Sequence, residues 1–199
     1  MPCSNALSPF VIAALLVLGS LPAGALDNAV PPPPAIVDKV KLCATCHGAD
    51  GLPVVEKVPI IAGQYKSNLS TDLYDFRNGA RPSDVMGPIA KGLSADDIRA
   101  LAVYFSALPW PAYHEPADAA TITRAQALVA AHKCTSCHRD GFVGHADTPR
   151  AANQKLDYLT QTLSDFHDNK RPNMPNMTAL VRNWSADDLA AMAHYLAGL

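Results

Sequence analysis

The chain has 199 residues, of which 49% are hydrophobic and 17% are charged, and its formal net charge is −2. This length suffices for one or two domains of ordinary globular composition, and the small negative charge gives no reason to expect nucleic acid as a partner. Five cysteines are few for a disulfide scaffold, so their placement is more informative than their number.

The N-terminal segment is typical of an export signal. An apolar run from Phe10 to Leu21 is too short for a comfortable membrane span, and the small residues Ala23 to Ala25 after it fit a signal-peptidase cleavage pattern. We therefore predict a signal peptide over 1–25 that is cleaved after Ala25 and directs the mature chain to the periplasm. Because no Lys or Arg precedes the apolar run, an uncleaved anchor is the alternative. Residues 26–35, with four consecutive prolines, are predicted to form a stiff spacer.

The remainder of the chain contains the same pattern twice. The pentapeptides CATCH (Cys43 to His47) and CTSCH (Cys134 to His138) lie 91 residues apart, and eight residues between positions 59 and 82 recur 90 positions later. The segment LSADDIRALAVYFSAL recurs as WSADDLAAMAHYLAGL at the end of the chain. A repeat of this length predicts two tandem domains, at 36–108 and 121–199, separated by a Pro-rich linker at 109–120.

Each copy has the pattern of three or so short helices joined by long loops, without a convincing strand. Apolar residues three and four positions apart precede both cysteine pairs, in AIVDKVKLC and in TRAQALVAAHKC. Middle helices are predicted near Gln64 to Phe76 and near Gln154 to Phe166. Last helices are predicted after Ser94 and Ser185, each placed to form a capping box with an Asp three positions on. The predicted fold class is all-α, and such small units usually need a staple or a cofactor.

The two C-x-x-C-H motifs are typical of covalent haem attachment. Two thiols three positions apart on a helical turn can each add to a vinyl group of one haem, and the adjoining histidine reaches the iron from the same face. We therefore predict two covalently bound haem c groups. The first is attached at Cys43 and Cys46 and ligated by His47, and the second uses Cys134, Cys137 and His138.

Two other interpretations of the paired cysteines are weaker. Four cysteines can hold one zinc ion, but the repeat assigns each pair to its own domain. A redox-active dithiol or a disulfide could explain one C-x-x-C in an exported protein. Two copies, each followed by His within a domain-length repeat, favour haem instead. Cys3 lies in the predicted signal and is given no function.

The sixth ligand of each iron decides whether the site is closed or open to small molecules. Met86 lies in a polar loop 39 residues after His47, and Met177 lies 39 residues after His138. Each also precedes the N-cap serine of the following helix by eight residues. This spacing predicts His/Met ligation of both irons, with Met174 as the alternative ligand of the second haem.

These motifs resemble those of class I cytochrome c domains, and their tandem arrangement resembles the dihaem cytochrome c4 family. The likeness rests on CATCHGADG, AGQ at 62–64, DFRNGAR before the first methionine loop and the LSADDIRALAVYFSAL helix, and it covers about residues 36–199. It implies two cytochrome c folds related by a pseudo-twofold axis. It also implies that the carbonyls of Pro59 and Pro149 bond the second ring nitrogen of the histidine ligands and fix the tautomer. The second copy departs from the pattern with AANQ in place of IAGQ and with Asn169 in place of a glycine.

Other polar residues have weaker claims to a role. Arg81 and Arg171 precede the methionine loops and are placed either to pair with haem propionates or to be solvated. Tyr104 and Tyr195 are expected in the core. No Ser-His-Asp order, phosphate loop or paired-carboxylate site is found, so no catalytic residue is predicted. The histidines without counterparts in the first copy are expected at the surface or in packing contacts: His132, His145, His167 and His194.

The predicted function is that of a soluble periplasmic dihaem electron carrier rather than an enzyme. Its implied partners are redox proteins: a quinol-oxidising complex or a dehydrogenase as donor, and a terminal oxidase or a reductase as acceptor, with transient contact to membrane complexes. The alternative is a dihaem oxidoreductase, or an electron-transfer subunit of one such as a thiosulfate dehydrogenase, with one open or non-Met haem. A methionine at the same spacing in both copies favours the carrier.

Overall fold

The computed structural model describes residues 31–199 together with Met1. Apart from Met1, the predicted signal peptide and residues 26–30 of the predicted spacer lie outside the described residues. A single 3-10 turn, Pro34–Ile36, leads directly into the first helix. Within the described part, no helix has the length and the apolar character needed to cross a membrane.

The first half of the molecule contains four helices. They are α1 (Val37–His47), α2 (Lys66–Asn78), α3 (Met86–Lys91) and α4 (Ala95–Ala107). The middle helix α2 packs against both α3 and α4. α2 lies at the position predicted for the middle helix, and α4 begins directly after Ser94, as predicted.

The second half contains five helices. They are α5 (Ala119–His132), α6 (Thr135–His138), α7 (Leu156–His167), α8 (Pro175–Val181) and α9 (Ala186–Ala197). The last helix α9 packs against α5 and α7, and α7 also packs against α8. The described residues form no strand beyond one isolated bridge between His145 and Thr148. The all-α fold class is therefore confirmed.

The helix before the second cysteine pair begins earlier than the sequence pattern indicates. The side chain of Asp118 accepts a hydrogen bond from the N–H of Thr121 and caps α5, which therefore starts at Ala119. The first residues of α5 consequently fall inside the stretch 109–120 that was assigned to the linker.

The same helix also ends before the cysteines. Lys133 adopts a left-handed conformation with φ of 54°, which terminates α5 at the preceding residue. The CTSCH motif lies on the separate short helix α6, whereas CATCH forms the end of α1. The prediction of one helix running into Cys134 is therefore wrong for the second half and right for the first.

The last helix of each half begins with the predicted capping box. The Ser94 hydroxyl accepts from the N–H of Asp97 at 3.1 Å, and the Asp97 carboxylate accepts from the N–H of Ser94 at 3.0 Å. Ser185 and Asp188 make the same two bonds at 3.2 and 3.1 Å. Each box satisfies two N–H groups that a helix start would otherwise leave unpaired.

Each half has its own hydrophobic core, built against its last helix. Ile98 and Leu101 of α4 are buried in the first core, and Leu196 of α9 is buried in the second. Tyr104 is part of the first core, and Tyr195 packs against the second. The predicted core positions of both tyrosines are confirmed.

Two asparagines replace glycines at left-handed positions in the second half. Gly79 ends α2 with φ of 78°, and its counterpart Asn169 has φ of 54°. Gly63 has φ of 65° and its counterpart Asn153 has φ of 55°, and each donates its N–H to a carbonyl of the last helix, at 2.9 and 2.8 Å. Asparagine tolerates this conformation better than most residues, so the two sequence departures preserve the backbone.

The two halves meet through a reciprocal pair of glutamines. The Gln154 side chain binds both backbone groups of Ile60, since its Oε1 accepts from the N–H at 2.8 Å and its Nε2 donates to the carbonyl at 3.0 Å. Gln64, the counterpart of Gln154, binds both backbone groups of Arg150, the counterpart of Ile60, at 3.0 Å each. This exchange of equivalent bonds is what a pseudo-twofold axis between the halves produces.

Replacing Gln154 with Ala leaves the N–H and the carbonyl of Ile60 unpaired in a buried interface. We expect the free energy of unfolding of the holoprotein to fall by about 1–3 kcal/mol, with a similar loss for Gln64→Ala. Guanidinium denaturation followed by far-UV circular dichroism measures the change. Gln161→Ala is the matched control, because that side chain bonds only within α7, to Asp165. An equal loss in the control would contradict the role of the interface.

Candidate haem-binding sites

The first C-x-x-C-H motif holds its histidine in one tautomer. α1 ends at His47, and the Nδ1–H of the imidazole donates to the carbonyl oxygen of Pro59 at 2.9 Å. Burial lowers the pKa of His47, and the bond to Pro59 offsets that effect only in part. The imidazole is therefore neutral at neutral pH, and the lone pair of Nε2 is available to a metal.

The second motif repeats this arrangement. The Nδ1–H of His138 donates to the carbonyl of Pro149 at 3.1 Å. Burial lowers the pKa of His138, the bond to Pro149 raises it, and the nearby His145 lowers it further. Both expected histidine–proline hydrogen bonds are thus confirmed. The sites differ in exposure, because His138 is half-buried whereas His47 is buried.

The cysteines of both motifs form no disulfide bond. Cys43 and Cys46 lie three positions apart on α1 and so share one face of the helix, while α6 carries Cys137 and directly follows Cys134. Burial raises the pKa of Cys43 and of Cys134. Within residues 31–199, no group of three or more His, Cys, Asp or Glu side chains is placed to hold a metal ion. The two cysteine pairs therefore do not converge on a zinc site.

The same backbone hydrogen bond forms within each of the two methionine loops. The N–H of the residue after Met86 donates to the carbonyl of Ser83 at 3.0 Å, and the N–H of the residue after Met177 donates to the carbonyl of Met174 at 3.2 Å. This register makes Met177 the counterpart of Met86 and makes Met174 the counterpart of Ser83. Both second-half methionines are partly buried against the second core.

Buried hydrogen-bond donors that lack an acceptor in the protein indicate whether the residues present suit a haem. Buried N–H groups without a partner are rare, because each costs about 1–3 kcal/mol. The guanidinium of Arg150 also lies over the Trp110 ring, 5.0 Å from its centre. A haem brings two carboxylates that accept hydrogen bonds, and a large apolar ring for halves with little aliphatic core, so the residues present fit this group. The unpartnered buried donors in the described part of the chain are Trp110 Nε1, Arg150 Nε, Arg171 Nε, Thr178 Oγ1 and Trp184 Nε1.

Known proteins similar to this chain include cytochromes c4 and a thiosulfate dehydrogenase electron acceptor. Residues 120–196 match the family described as cytochrome C oxidase, cbb3-type, subunit III. The chain is 34% identical to a thiosulfate dehydrogenase electron acceptor from Stutzerimonas stutzeri, over 79% of this chain and 78% of that protein. It is 30% identical to cytochrome c4 from Pseudomonas aeruginosa, over 81% of this chain and 85% of that protein. The chain belongs to the cytochrome c4 family.

The fold agrees with this family. The crystal structure of reduced recombinant cytochrome c4 from Pseudomonas stutzeri superposes with a TM-score of 0.74 at 28% identity, over 81% of this chain and 95% of that one. As a cytochrome c4, the protein is a dihaem electron carrier with two covalently bound haem c groups. The predictions of family, cofactor and electron-transfer function are confirmed.

The two repeated arginines of this cytochrome c4 are not solvated. Arg81 Nη1 lies 2.9 Å from Asp72 Oδ2, and Arg171 Nη2 lies 3.3 Å from Asp72 Oδ1. Each guanidinium also lies over a phenylalanine ring of its own half, Phe76 at 4.5 Å and Phe166 at 4.6 Å from the centre. Both arginine side chains are only 11% exposed, so the interpretation as solvated loop residues is wrong.

The histidines that lack counterparts take the packing and surface positions that we predicted. The exposed His132 ring lies 5.1 Å from the Trp184 ring, centre to centre. His167 Nδ1 lies 2.8 Å from a carboxylate oxygen of Asp168. His145 takes part in the isolated backbone bridge, and His194 is half-buried on α9.

Sequence analysis missed two residues that contact Arg81 and Arg171. Asp72 binds both arginines, and the Tyr158 hydroxyl accepts a hydrogen bond from Arg81 Nη2 at 3.0 Å. Neither residue recurs, because the counterpart of Asp72 is Thr162 and that of Tyr158 is Asn68. A comparison of the two copies therefore contains no signal for either of them.

Proposed function

We propose that equivalent residue sets hold the two haems. The assignment is carried by the match between the halves: each has a histidine with Nδ1 bonded to a proline carbonyl, and a methionine at the same place in a loop with the same backbone hydrogen bond. The first set is Cys43 and Cys46 for attachment with His47 and Met86 as axial ligands, and the second is Cys134, Cys137, His138 and Met177.

These residues suit a carrier rather than an enzyme. Bound haem c supplies a one-electron couple, whose potential a His/Met ligand pair raises. Burial favours the neutral form of His47 and His138, and the proline carbonyls fix the tautomer whose Nε2 lone pair would bind the metal. In each half, the histidine and the methionine would both bind the haem iron. No ligand position would then stay open to a substrate, and the protein would take up and release single electrons.

We infer that the carrier works in the periplasm, after cleavage at Ala25, and docks transiently on its partners. Leu42, next to the first attachment cysteine, is 51% exposed, and Val85, next to the first methionine ligand, is 63% exposed. Apolar side chains exposed beside both parts of the first site suit a small, weakly bound interface. The donor is a quinol-oxidising complex or a dehydrogenase, and the acceptor is a terminal oxidase or a reductase.

A more specific role is that of electron acceptor for a thiosulfate dehydrogenase. This proposal rests on the 34% identity to a protein of that description across most of both chains. The donor would then be the dehydrogenase, and this chain would pass the electrons on.

Mixing the oxidised holoprotein with a thiosulfate dehydrogenase and thiosulfate tests this role. We expect stopped-flow absorbance to record haem reduction when the enzyme is present, since the carrier has no substrate position of its own. Thiosulfate without the enzyme is the control and should leave the haems oxidised. Reduction by thiosulfate alone would contradict the carrier and indicate an open haem.

Near-infrared magnetic circular dichroism of the oxidised holoprotein tests the ligand assignment by counting Met-ligated low-spin haems. We expect two per chain in the wild type and in Met174→Ala, because Met174 matches a serine in the first half. We expect one in Met177→Ala with Met174→Ala, a double variant that excludes replacement of one thioether by the other. A count of one in the wild type, or in Met174→Ala alone, would contradict the assignment.

Replacing Cys134 and Cys137 with Ala tests the attachment sites. We expect the intact mass to fall by about one haem, and the second half to become sensitive to proteolysis, because Cys134 and both second-half methionines pack against its core. The matched pair Cys43→Ala and Cys46→Ala should lose the other haem and expose the first half instead. Full haem content in either double variant would refute the corresponding site.

A further inference from the structure

A partly buried cluster of polar side chains joins the halves beside the methionine loops. Asp72 on α2 binds Arg81 of its own half at 2.9 Å and Arg171 of the other half at 3.3 Å. Arg81 in turn donates a hydrogen bond to the hydroxyl of Tyr158 on α7, at 3.0 Å. These four residues are named the Asp72 cluster.

Burial makes the charges of the Asp72 cluster effective over distance. The arginine side chains are 11% exposed, so water screens their charges poorly, whereas the Asp72 side chain is 33% exposed and water screens its charge in part. Among the four residues of the cluster, two guanidinium groups face one carboxylate; the neighbouring Asp75 carboxylate, which accepts from Asn173 at 2.7 Å, lies outside the cluster and adds its own negative charge beside it. The cluster therefore carries one net positive charge.

The pKa of Tyr158 is affected by the charges of the same cluster. Burial alone would raise the pKa of the Tyr158 phenol, but the charges of Arg81 and Arg171 outweigh burial and lower it. Burial alone would likewise lower the pKa of Arg81, but its contacts with Tyr158 and Asp72 outweigh burial and raise it. Asp72 is the residue of the cluster whose negative charge reduces the field of the two guanidinium groups.

The two halves contribute different residues to the Asp72 cluster, whereas their glutamine contacts are equivalent. Arg81 and Arg171 are counterparts, but the second half has Thr162 in place of Asp72. The single carboxylate therefore belongs to the first half. It lies on α2, which packs against α3, the helix that begins at Met86.

The interface that holds the cluster includes segments that adjoin both proposed ligand sets. The prolines that orient His47 and His138 are followed directly by the residues that bind the other half, Ile60 and Arg150. The two arginines of the cluster stand five and six residues before the proposed methionine ligands. In each half, the loop that orients the histidine and the loop that carries the methionine both contact the other half, so a charge in the cluster acts on both sites.

We propose that Asp72 sets how a single electron is shared between the two haems. A negative charge disfavours an added electron most strongly at the nearer site, and α2 places Asp72 in the first half. The carboxylate lowers the electron affinity of the first site relative to the second, while the two arginines, one from each half, act on both. The half-reduced protein therefore holds its electron on the second haem more often than it would without Asp72. This inference rests on the ligand sets proposed above.

The variant Asp72→Asn removes the charge and keeps the shape of the side chain. In the half-reduced holoprotein, resolved haem methyl signals in proton NMR give the ratio of electron occupancy, second haem over first. We expect this ratio to fall by about threefold to tenfold, as removal of one partly buried unit charge predicts. An unchanged ratio overturns the proposal.

A second variant tests the same idea with Asp72 kept in place. Thr162→Asp adds a carboxylate at the matching place in the second half, and it should lower the electron affinity of the second haem. We expect the ratio to fall in this variant as well, and to fall further when Asp72→Asn is added. A rise, or no change, in Thr162→Asp contradicts the electrostatic mechanism even if Asp72→Asn fails to fold.

Two controls separate charge from packing. Asn68→Ala loses a hydrogen bond to the carbonyl of Ala146 across the interface, 2.7 Å long, without any change of charge. Asp96→Asn removes a carboxylate from a side chain that is 88% exposed. Both should keep the wild-type ratio, and a fall in Asn68→Ala as large as that in Asp72→Asn would refute the proposal. A count of two Met-ligated haems with an unchanged ratio refutes only the role of Asp72, whereas a different count in the wild type refutes the ligand sets themselves.

Discussion

The hydrogen bond from each histidine to a proline carbonyl is the constraint on which the site and the interface both depend. Pro59 orients His47, and the next residue, Ile60, has its N–H and its carbonyl bound by Gln154 of the other half. The peptide unit between the two residues is planar and stiff, so the same short segment sets the direction of the imidazole and the position of the opposite half. The second half repeats this arrangement. The direction of each histidine ring and the association of the two halves therefore depend on the same two short segments.

Local and repeated signals made most of the fold predictable. The capping boxes at Ser94 and Ser185 define helix starts through neighbouring residues alone, and the C-x-x-C-H motifs place attachment and ligation within five positions. The register of the methionine loops followed from counting in two copies, which separated Met177 from Met174. The comparison of copies worked wherever both halves retained the same contact.

The rest of the structure depends on contacts that the copies do not share. The left-handed conformation of Lys133 ends α5 without a glycine or a proline to mark it. Asp72 and Tyr158 gain their roles from partners on the opposite half, 99 and 77 residues away along the chain, and neither has a like residue in the other copy. Asn169 departs from the sequence pattern of the first copy, yet it occupies the same region of backbone conformation as the glycine that it replaces. Divergence between the copies therefore changed side-chain chemistry at the interface while it preserved the backbone.

The reciprocal glutamines bear on how such a chain could arise. Gln64 and Ile60 belong to the same half, so one half contains both the side chain and the backbone groups that the interface requires. Two separate copies of such a half could make the same bonds with each other across a twofold axis, as an isologous homodimer does. When the two copies are fused in one chain, their pairing no longer depends on protein concentration. The residues of one copy can then change while those of the other stay the same. A carboxylate at Asp72 in one half, with Thr162 at the matching place in the other, is a difference that two identical separate copies cannot have.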